Sequence, residues 1–244
     1  MSNAFEIAME MGATRAVEDL KQIVDLLDDK EKDQVDDVLR AVFLFTGLSV
    51  STVRNPSEFD ESESGPAFSD LYGGTFWERI LYEVDWPTDE EWVPDADDYA
   101  RANKILKAAG QATTLGAPKE LYRGISNLDP NVFLDLMRPG STYNLGEIVS
   151  TTFVKSFAVQ FIKGAGAYKI LYVISNPKGK GFRVDDISAY PHEAEVIVSG
   201  NIVVDKVEFM GKVTHEEVIK TVTHLENKNM RKKAGTAIVY CTLQ

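Results

Sequence analysis

Apolar residues recur at helical intervals over residues 14–30, where Val17, Leu20, Val24 and Leu27 share one face and Thr14 is a candidate N-cap. The polar run Asp28-Asp-Lys-Glu-Lys-Asp33 breaks that pattern. A second helix is predicted over about 33–46 from Val35, Val38, Leu39, Val42 and Phe43, with Gly47 as its stop. Residues 55–75 carry few groups to bury and read as a loop. Phe76, Trp77, Ile80, Leu81 and Val84 suit the start of another helix. The acidic stretch 85–98 holds Trp86 and Trp92, read as aromatic tacks to the core. A helix over 99–109, ended by Gly110, closes this part.

The pattern changes near residue 119. Strands are predicted at 120–125, 147–153, 168–174, 182–185, 194–199, 202–210 and 236–243, with short helical pieces at 129–137 and 156–162. Residues 214–230 fit a helix through Val218, Ile219, Val222 and Leu225, yet are rich in β-branched residues. The chain therefore reads as a helical portion over 1–110, integral to the domain, and a strand-rich core over 111–244. No βαβ alternation appears, which argues against a doubly wound sheet.

Composition narrows the class. At 244 residues and 44% hydrophobic content the chain can bury a sizeable core. A single cysteine, Cys241, rules out an internal disulfide, and His192, His215 and His224 are too scattered for a metal site. A reduced, cytoplasmic setting fits best. The start of the chain lacks a signal-peptide pattern, and no apolar run is long enough to span a membrane. The net charge of -12 is divided: residues 1–100 carry -18 and residues 101–244 carry +6. The total disfavours general nucleic-acid binding, while the basic part suits an anionic ligand.

Candidate chemistry gathers at Tyr190-Pro-His-Glu-Ala-Glu-Val-Ile-Val-Ser199. Glu193 and Glu195 stand two apart where a turn enters a strand. If the strand already holds at Glu193, both carboxylates project to one face. Like charges so close need water, an arginine or a cationic ligand to offset them. An isolated Glu-x-Glu is most often a solvated hairpin shoulder. Arg123 offers a fixed fork of donors suited to a diphosphate or a carboxylate, but alone is an ordinary strand-end arginine. Gly124 permits close backbone approach, or simply a turn. Ser150 is a short hydroxyl on an apolar strand without the context of a serine nucleophile; Thr151 and Thr152 read as strand support. Phe157 and Phe161 offer aromatic faces suited to a cationic ring, with core packing as the alternative, and Tyr168 is open in the same way. Lys178-Gly-Lys-Gly181 lacks P-loop spacing and reads as a solvated hairpin.

Taken in order, Tyr122-Arg-Gly124, Ser150-Thr-Thr-Phe153 and Tyr190-Pro-His-Glu-Ala-Glu195 resemble the Arg-Ser-Glu signature of the ADP-ribosyltransferase superfamily, in its cholera-toxin-like branch. Ala158, Phe161, Ile187-Ser-Ala-Tyr190, Pro191 and Val196-Ile-Val198 extend the resemblance over roughly 119–243. Leu121-Tyr-Arg-Gly-Ile-Ser126, with the chain's size and helical N-terminal part, is similar to the small bacteriophage ADP-ribosyltransferases that act on host proteins. The resemblance implies an α+β fold: two packed, mainly antiparallel sheets around an NAD cleft, with N-terminal helices. It implies a mono-ADP-ribosyltransferase that moves ADP-ribose from NAD to an arginine of a target protein and releases nicotinamide, without a metal.

The resemblance also implies roles. Glu195 stabilises the oxocarbenium-like centre and bonds the ribose. Glu193 faces the acceptor, and a glutamate there favours arginine. Arg123 and Gly124 hold NAD, and Ser150 orients the catalytic glutamate. Thr151, Thr152 and Phe161 join the NAD site, and Tyr190 helps recognise the target. Thr152 departs from the family's Ser-Thr-Ser but keeps a hydroxyl. The expected setting is the cytoplasm, or a host cytoplasm or virion for a phage protein. Two rivals stay open. One is a same-fold NAD glycohydrolase, or a transferase to another acceptor such as nucleic acid. The other is an inactive binding module.

Overall fold

The apolar stripe predicted at 14–30 forms helix α1 (Thr14–Leu26), and that of 33–46 forms α2 (Gln34–Phe43). A π-helical turn, Leu44–Leu48, carries α2 onward, so Gly47 lies inside a wider turn instead of stopping the helix. The computed structural model describes residues 14–27, 34–48, 53–58, 95–126, 128–163, 168–188, 190–210 and 236–244. The helix expected from Phe76, the stretch holding Trp86 and Trp92, most of the 55–75 loop and the ambiguous 214–230 lie outside the described residues.

The chain divides into two compact units that are not consecutive halves. The first comprises Met1–Ala117, Glu147–Val149 and Lys180–Ser199; the second comprises Pro118–Gly146, Ser150–Gly179 and Gly200–Gln244. The fold is α+β, with most of the helical residues in the first unit and a mixed sheet in the second.

In the first unit, helix α3 (Ala96–Gln111) begins earlier than its apolar stripe suggests. Asp95 caps it: its Oδ1 accepts the N–H groups of Asp97 and Asp98, each at 2.9 Å. Asp98 returns the bond by accepting the Asp95 N–H at 3.1 Å. This capping box satisfies donors that a helix start otherwise leaves open. Tyr99, Ala102, Ile105, Leu106, Ala109 and Gly110 form the buried face. Gly110 does not end the helix. Its missing Cβ admits a strand, since a Cβ there would meet the Val198 carbonyl carbon at 3.0 Å and Ser199 N at 3.1 Å. That strand is β6 (Glu195–Val198), buried at every position and paired antiparallel with β5 (Phe182–Arg183) through Phe182↔Ile197 and Arg183↔Val196.

The segment after α3 is tied down by polar contacts. The Ala112 carbonyl accepts the Gly181 N–H at 2.8 Å, and the Thr114 hydroxyl donates to the Gly181 carbonyl at 2.7 Å. Gly181 adopts φ +107°, which an L side chain resists. Asp19 of α1 is fully buried and its Oδ1 accepts the Gly116 N–H at 3.3 Å, while Oδ2 has no hydrogen-bond partner among the described residues.

In the second unit six strands lie in the order β2-β7-β8-β4-β1-β3. They are β1 (Glu120–Ile125), β2 (Thr142–Asn144), β3 (Val149–Thr152, of which Ser150 onward belongs to this unit), β4 (Lys169–Ser175), β7 (Asn201–Met210) and β8 (Thr236–Leu243). β4 and β8 run parallel; the other pairs are antiparallel. Alternation along β8 buries every second residue. The short helices α4 (Pro130–Leu136) and α5 (Lys155–Phe161) complete the unit, and α5 packs on β1. Three-residue β2 has no counterpart in the predicted strands.

Asp19 gives a stability test. Burial raises its carboxyl above the ordinary value, against the Gly116 hydrogen bond. A raised native pKa makes the folded chain hold this proton more tightly than the unfolded chain, so stability falls as pH rises through the native value. Asp19→Asn keeps an acceptor for Gly116 and carries no charge. Urea unfolding should show it more stable than wild type at pH 8, with the advantage lost near pH 4. A difference that does not change with pH would contradict this account.

Candidate functional site

The carboxylate pair is built by a backbone device in the first unit. Pro191–Glu193 forms one 3-10 turn, and the Glu193 N–H donates to the Tyr190 carbonyl at 3.0 Å. Ala194 follows at φ +49°, the one non-glycine residue with positive φ among those described. An alanine in this left-handed region costs about 1–2 kcal/mol. Glu195 then opens β6. The strand geometry expected to align the two glutamates is therefore not present at Glu193. The turn and the left-handed residue give the two side chains different surroundings.

Glu195 is 5% exposed, whereas Glu193 is half-buried. Burial raises the Glu193 carboxyl above its ordinary value, and the neighbouring His192 works against that rise. Tyr190 is exposed and meets the His192 ring edge-on at 6.1 Å. Its own N–H donates to Ser188 Oγ at 3.0 Å, which fixes the entry to the turn.

The first unit also holds a partly buried arginine that local patterning does not reveal. Arg54 stands just ahead of the run predicted as loop. Its Nε donates to the Ile148 carbonyl at 2.9 Å, and its guanidinium sits over the Phe45 ring, 5.6 Å from the centroid. Burial holds the Arg54 guanidinium below its usual value, and the negative charge of Glu195 opposes that shift. A lone arginine beside Asn55-Pro56 carries no periodic or motif signal. Only its place in the fold marks it.

The second unit holds the other predicted residues together. Arg123 on β1 donates from Nη1 to the Ser150 carbonyl, so the arginine fork is anchored to the serine motif through its backbone. Tyr122 pairs with Thr152 across β1 and β3. Ser150 is half-buried, and Thr151 and Thr152 are buried. The Thr152 hydroxyl accepts the Val154 N–H at 3.0 Å, a structural task at the turn into α5. Phe161 is 53% exposed and meets Phe157 edge-on at 5.4 Å. An aromatic pair with one exposed ring fits a stacking surface better than a core. Tyr168 is buried, with its ring 5.2 Å from that of Phe133. Arg123, Gly124, Ser150, Thr151, Thr152 and Phe161 thus lie in the second unit, and Tyr190, Glu193 and Glu195 in the first.

Gly124 has a packing cause. A Cβ on it would stand 2.1 Å from the Ala158 carbonyl oxygen and 3.0 Å from Phe161 Cβ. Close seating of α5 on β1 thus requires glycine here. Gly124→Ala should lower the unfolding midpoint more than Gly140→Ala, since Gly140 has φ +86° but a Cβ there would meet nothing within 4 Å. The latter change costs backbone strain alone, about 1–3 kcal/mol. Equal losses in denaturant unfolding would contradict the packing account.

Among the described residues no group of three or more histidine, cysteine or acidic side chains could hold a metal ion, and no helix is long and apolar enough to cross a membrane. No protein-family model and no curated protein sequence matches the chain. Among solved structures, it is similar to the ADP-ribosyltransferase Vis from Vibrio splendidus in complex with agmatine, at 14% identity and TM-score 0.48, over 99% of this chain and 84% of that one. The Salmonella SpvB ATR domain gives 13% and 0.41, over 84% of this chain and 98% of that one. The ADP-ribosyltransferase HopU1 of Pseudomonas syringae gives 12% and 0.43, over 92% and 87%. At these identities and scores the functional reading rests on the chain's own residues.

Proposed function

We propose that the chain is a mono-ADP-ribosyltransferase that transfers ADP-ribose from NAD to an arginine side chain of a protein. The observation that carries this reading is the division of labour between Glu193 and Glu195. One motif supplies a buried carboxylate on a strand and a more accessible one on a turn with a raised proton affinity. Two carboxylates in contrasting environments suit two different tasks in one reaction.

In the proposed reaction the bond from ribose C1 to the nicotinamide nitrogen breaks, and its electron pair leaves with neutral nicotinamide. Positive charge develops on C1 and the ring oxygen. A fixed carboxylate there stabilises the transition state more than the ground state, and Glu195 is assigned that role. A guanidino nitrogen of the acceptor then bonds to C1 and gives up a proton. Glu193 is assigned to orient that guanidinium and take the proton; its raised proton affinity favours acceptance. Arg123 is assigned to the NAD diphosphate, with its fork braced on the Ser150 carbonyl. Gly124 and the hydroxyl run Ser150, Thr151 and Thr152 support the same NAD. Phe161 is assigned to stack on nicotinamide, and exposed Tyr190 to meet the target protein. No membrane partner is assigned, and a phage origin with a host target stays within the proposal.

Labelled NAD incubated with agmatine, or with cell lysate followed by peptide mass spectrometry, tests the reading. Glu195→Gln should lose about 100- to 1000-fold in NAD cleavage while unfolding at a similar temperature. Glu193→Gln should still release free ADP-ribose into water but lose transfer to the guanidino acceptor. Label on arginine supports the proposal. Free ADP-ribose as the sole wild-type product identifies a hydrolase instead, and full activity in Glu195→Gln removes the role assigned to that residue.

A further inference from the structure

Tyr190 stands 45% exposed at the entry to the carboxylate turn, and its backbone is tied on both sides. The Tyr190 N–H donates to Ser188 Oγ at 3.0 Å, and the Tyr190 carbonyl accepts the Glu193 N–H at 3.0 Å. These two bonds fix where the ring leaves the chain. They do not fix the ring itself, because an exposed aromatic side chain still turns among its staggered rotamers. A ring that turns freely loses part of its binding energy when a partner immobilises it.

His192 supplies the missing restraint. Its imidazole meets the Tyr190 ring at 6.1 Å between centroids, with the planes 85° apart. Aromatic pairs favour this edge-to-face geometry at such a separation. Both side chains are exposed, so the contact serves no core. One imidazole in this arrangement covers one face of the phenol ring at most, and the other face stays clear of it. His192 is also the residue before Glu193, within the turn that the bond from Glu193 to Tyr190 closes. A guanidinium is a flat cation that stacks on an aromatic face and turns its N–H edge to a carboxylate. A held ring and a half-buried carboxylate on one closed turn offer both halves of that recognition.

We infer that His192 is a positioning residue for the acceptor: it props the Tyr190 ring so that one face is presented to a flat guanidinium, on the same turn that carries Glu193. It acts through Tyr190 and is not assigned to NAD. The inference rests on the transferase reading and deepens it, since it names the residue that sets how tightly the guanidino acceptor is held.

Two measurements on the full chain test it, and the first needs no activity. The chain has three histidines, so the His192 imidazole signal in an NMR spectrum is identified by its loss in His192→Gln. Tyr190→Leu should shift that signal by removing the ring current of the tyrosine, and an unmoved signal overturns the inference. The second is a double-mutant cycle in the transfer of ADP-ribose to agmatine, with unfolding temperatures confirming that each variant is folded. His192→Ala should raise the KM for agmatine about three- to tenfold with kcat nearly unchanged. His192→Phe keeps an aromatic edge and should recover most of the loss. In the Tyr190→Leu background, His192→Ala should change little. Additive effects in the cycle, no rescue by His192→Phe, or a fall in kcat at unchanged KM each overturn the inference. A wild type that makes free ADP-ribose alone removes the transferase reading, and the role given to His192 goes with it. A wild type that labels agmatine but shows an additive cycle removes the His192 role alone.

Discussion

A carboxylate sits at the first position of a strand that has no exposed residue. Glu195 must be kept out of water with Val196, Ile197 and Val198, and much of the first unit answers that demand. α3 gives up a side chain at Gly110 so that the strand can approach. Gly181 takes a left-handed backbone and carries the chain into the partner strand. Phe45 and Ile148 hold the Arg54 side chain in the same unit, and the Asn103 amide holds the backbone carbonyls of Val53 and Arg54. Apolar packing alone would be better served by a valine at 195. A carboxylate there shows that packing is not the sole requirement on this strand.

The second unit meets a different constraint, the seating of α5 on β1. The helix comes so close that its Ala158 carbonyl takes the space of a side chain at 124. Arg123, the preceding residue on the strand, is braced on the Ser150 carbonyl. A basic side chain, a glycine and a hydroxyl run are thus drawn together by strand pairing and one short helix. That economy explains why the motif is compact in space though spread over nearly thirty positions in sequence.

Much of this is legible in the residues. β1 and β8 fall where strand patterning puts them, and along β8 every second residue is buried. The three motif pieces and their order are also legible. Other features are not. The start of α3 is set by Asp95 and Asp98, which the acidic composition of 85–98 conceals. β2 is too short and too exposed to carry a pattern. Ala194 has no signal of its left-handed backbone, since that conformation usually falls to glycine or asparagine. Arg54 is held by residues 49 and 94 positions away in the chain, at Asn103 and Ile148, a relation that no local window holds. The membership of 147–149 and 180–199 in the helical unit is likewise a long-range fact.

β8 has a kinetic consequence. It lies between β7 and β4, pairing Ile202 with Leu243 on one side and Lys169 with Thr236 on the other. Its neighbours both precede it in the chain and in the folded sheet are joined only through it. During translation β4 and β7 emerge with open edges, and the central ladder closes only after the last of the described strands has left the ribosome. The β1–β4 and β2–β7 ladders carry no residue of β8, so β8 is the strand that unites them into one sheet.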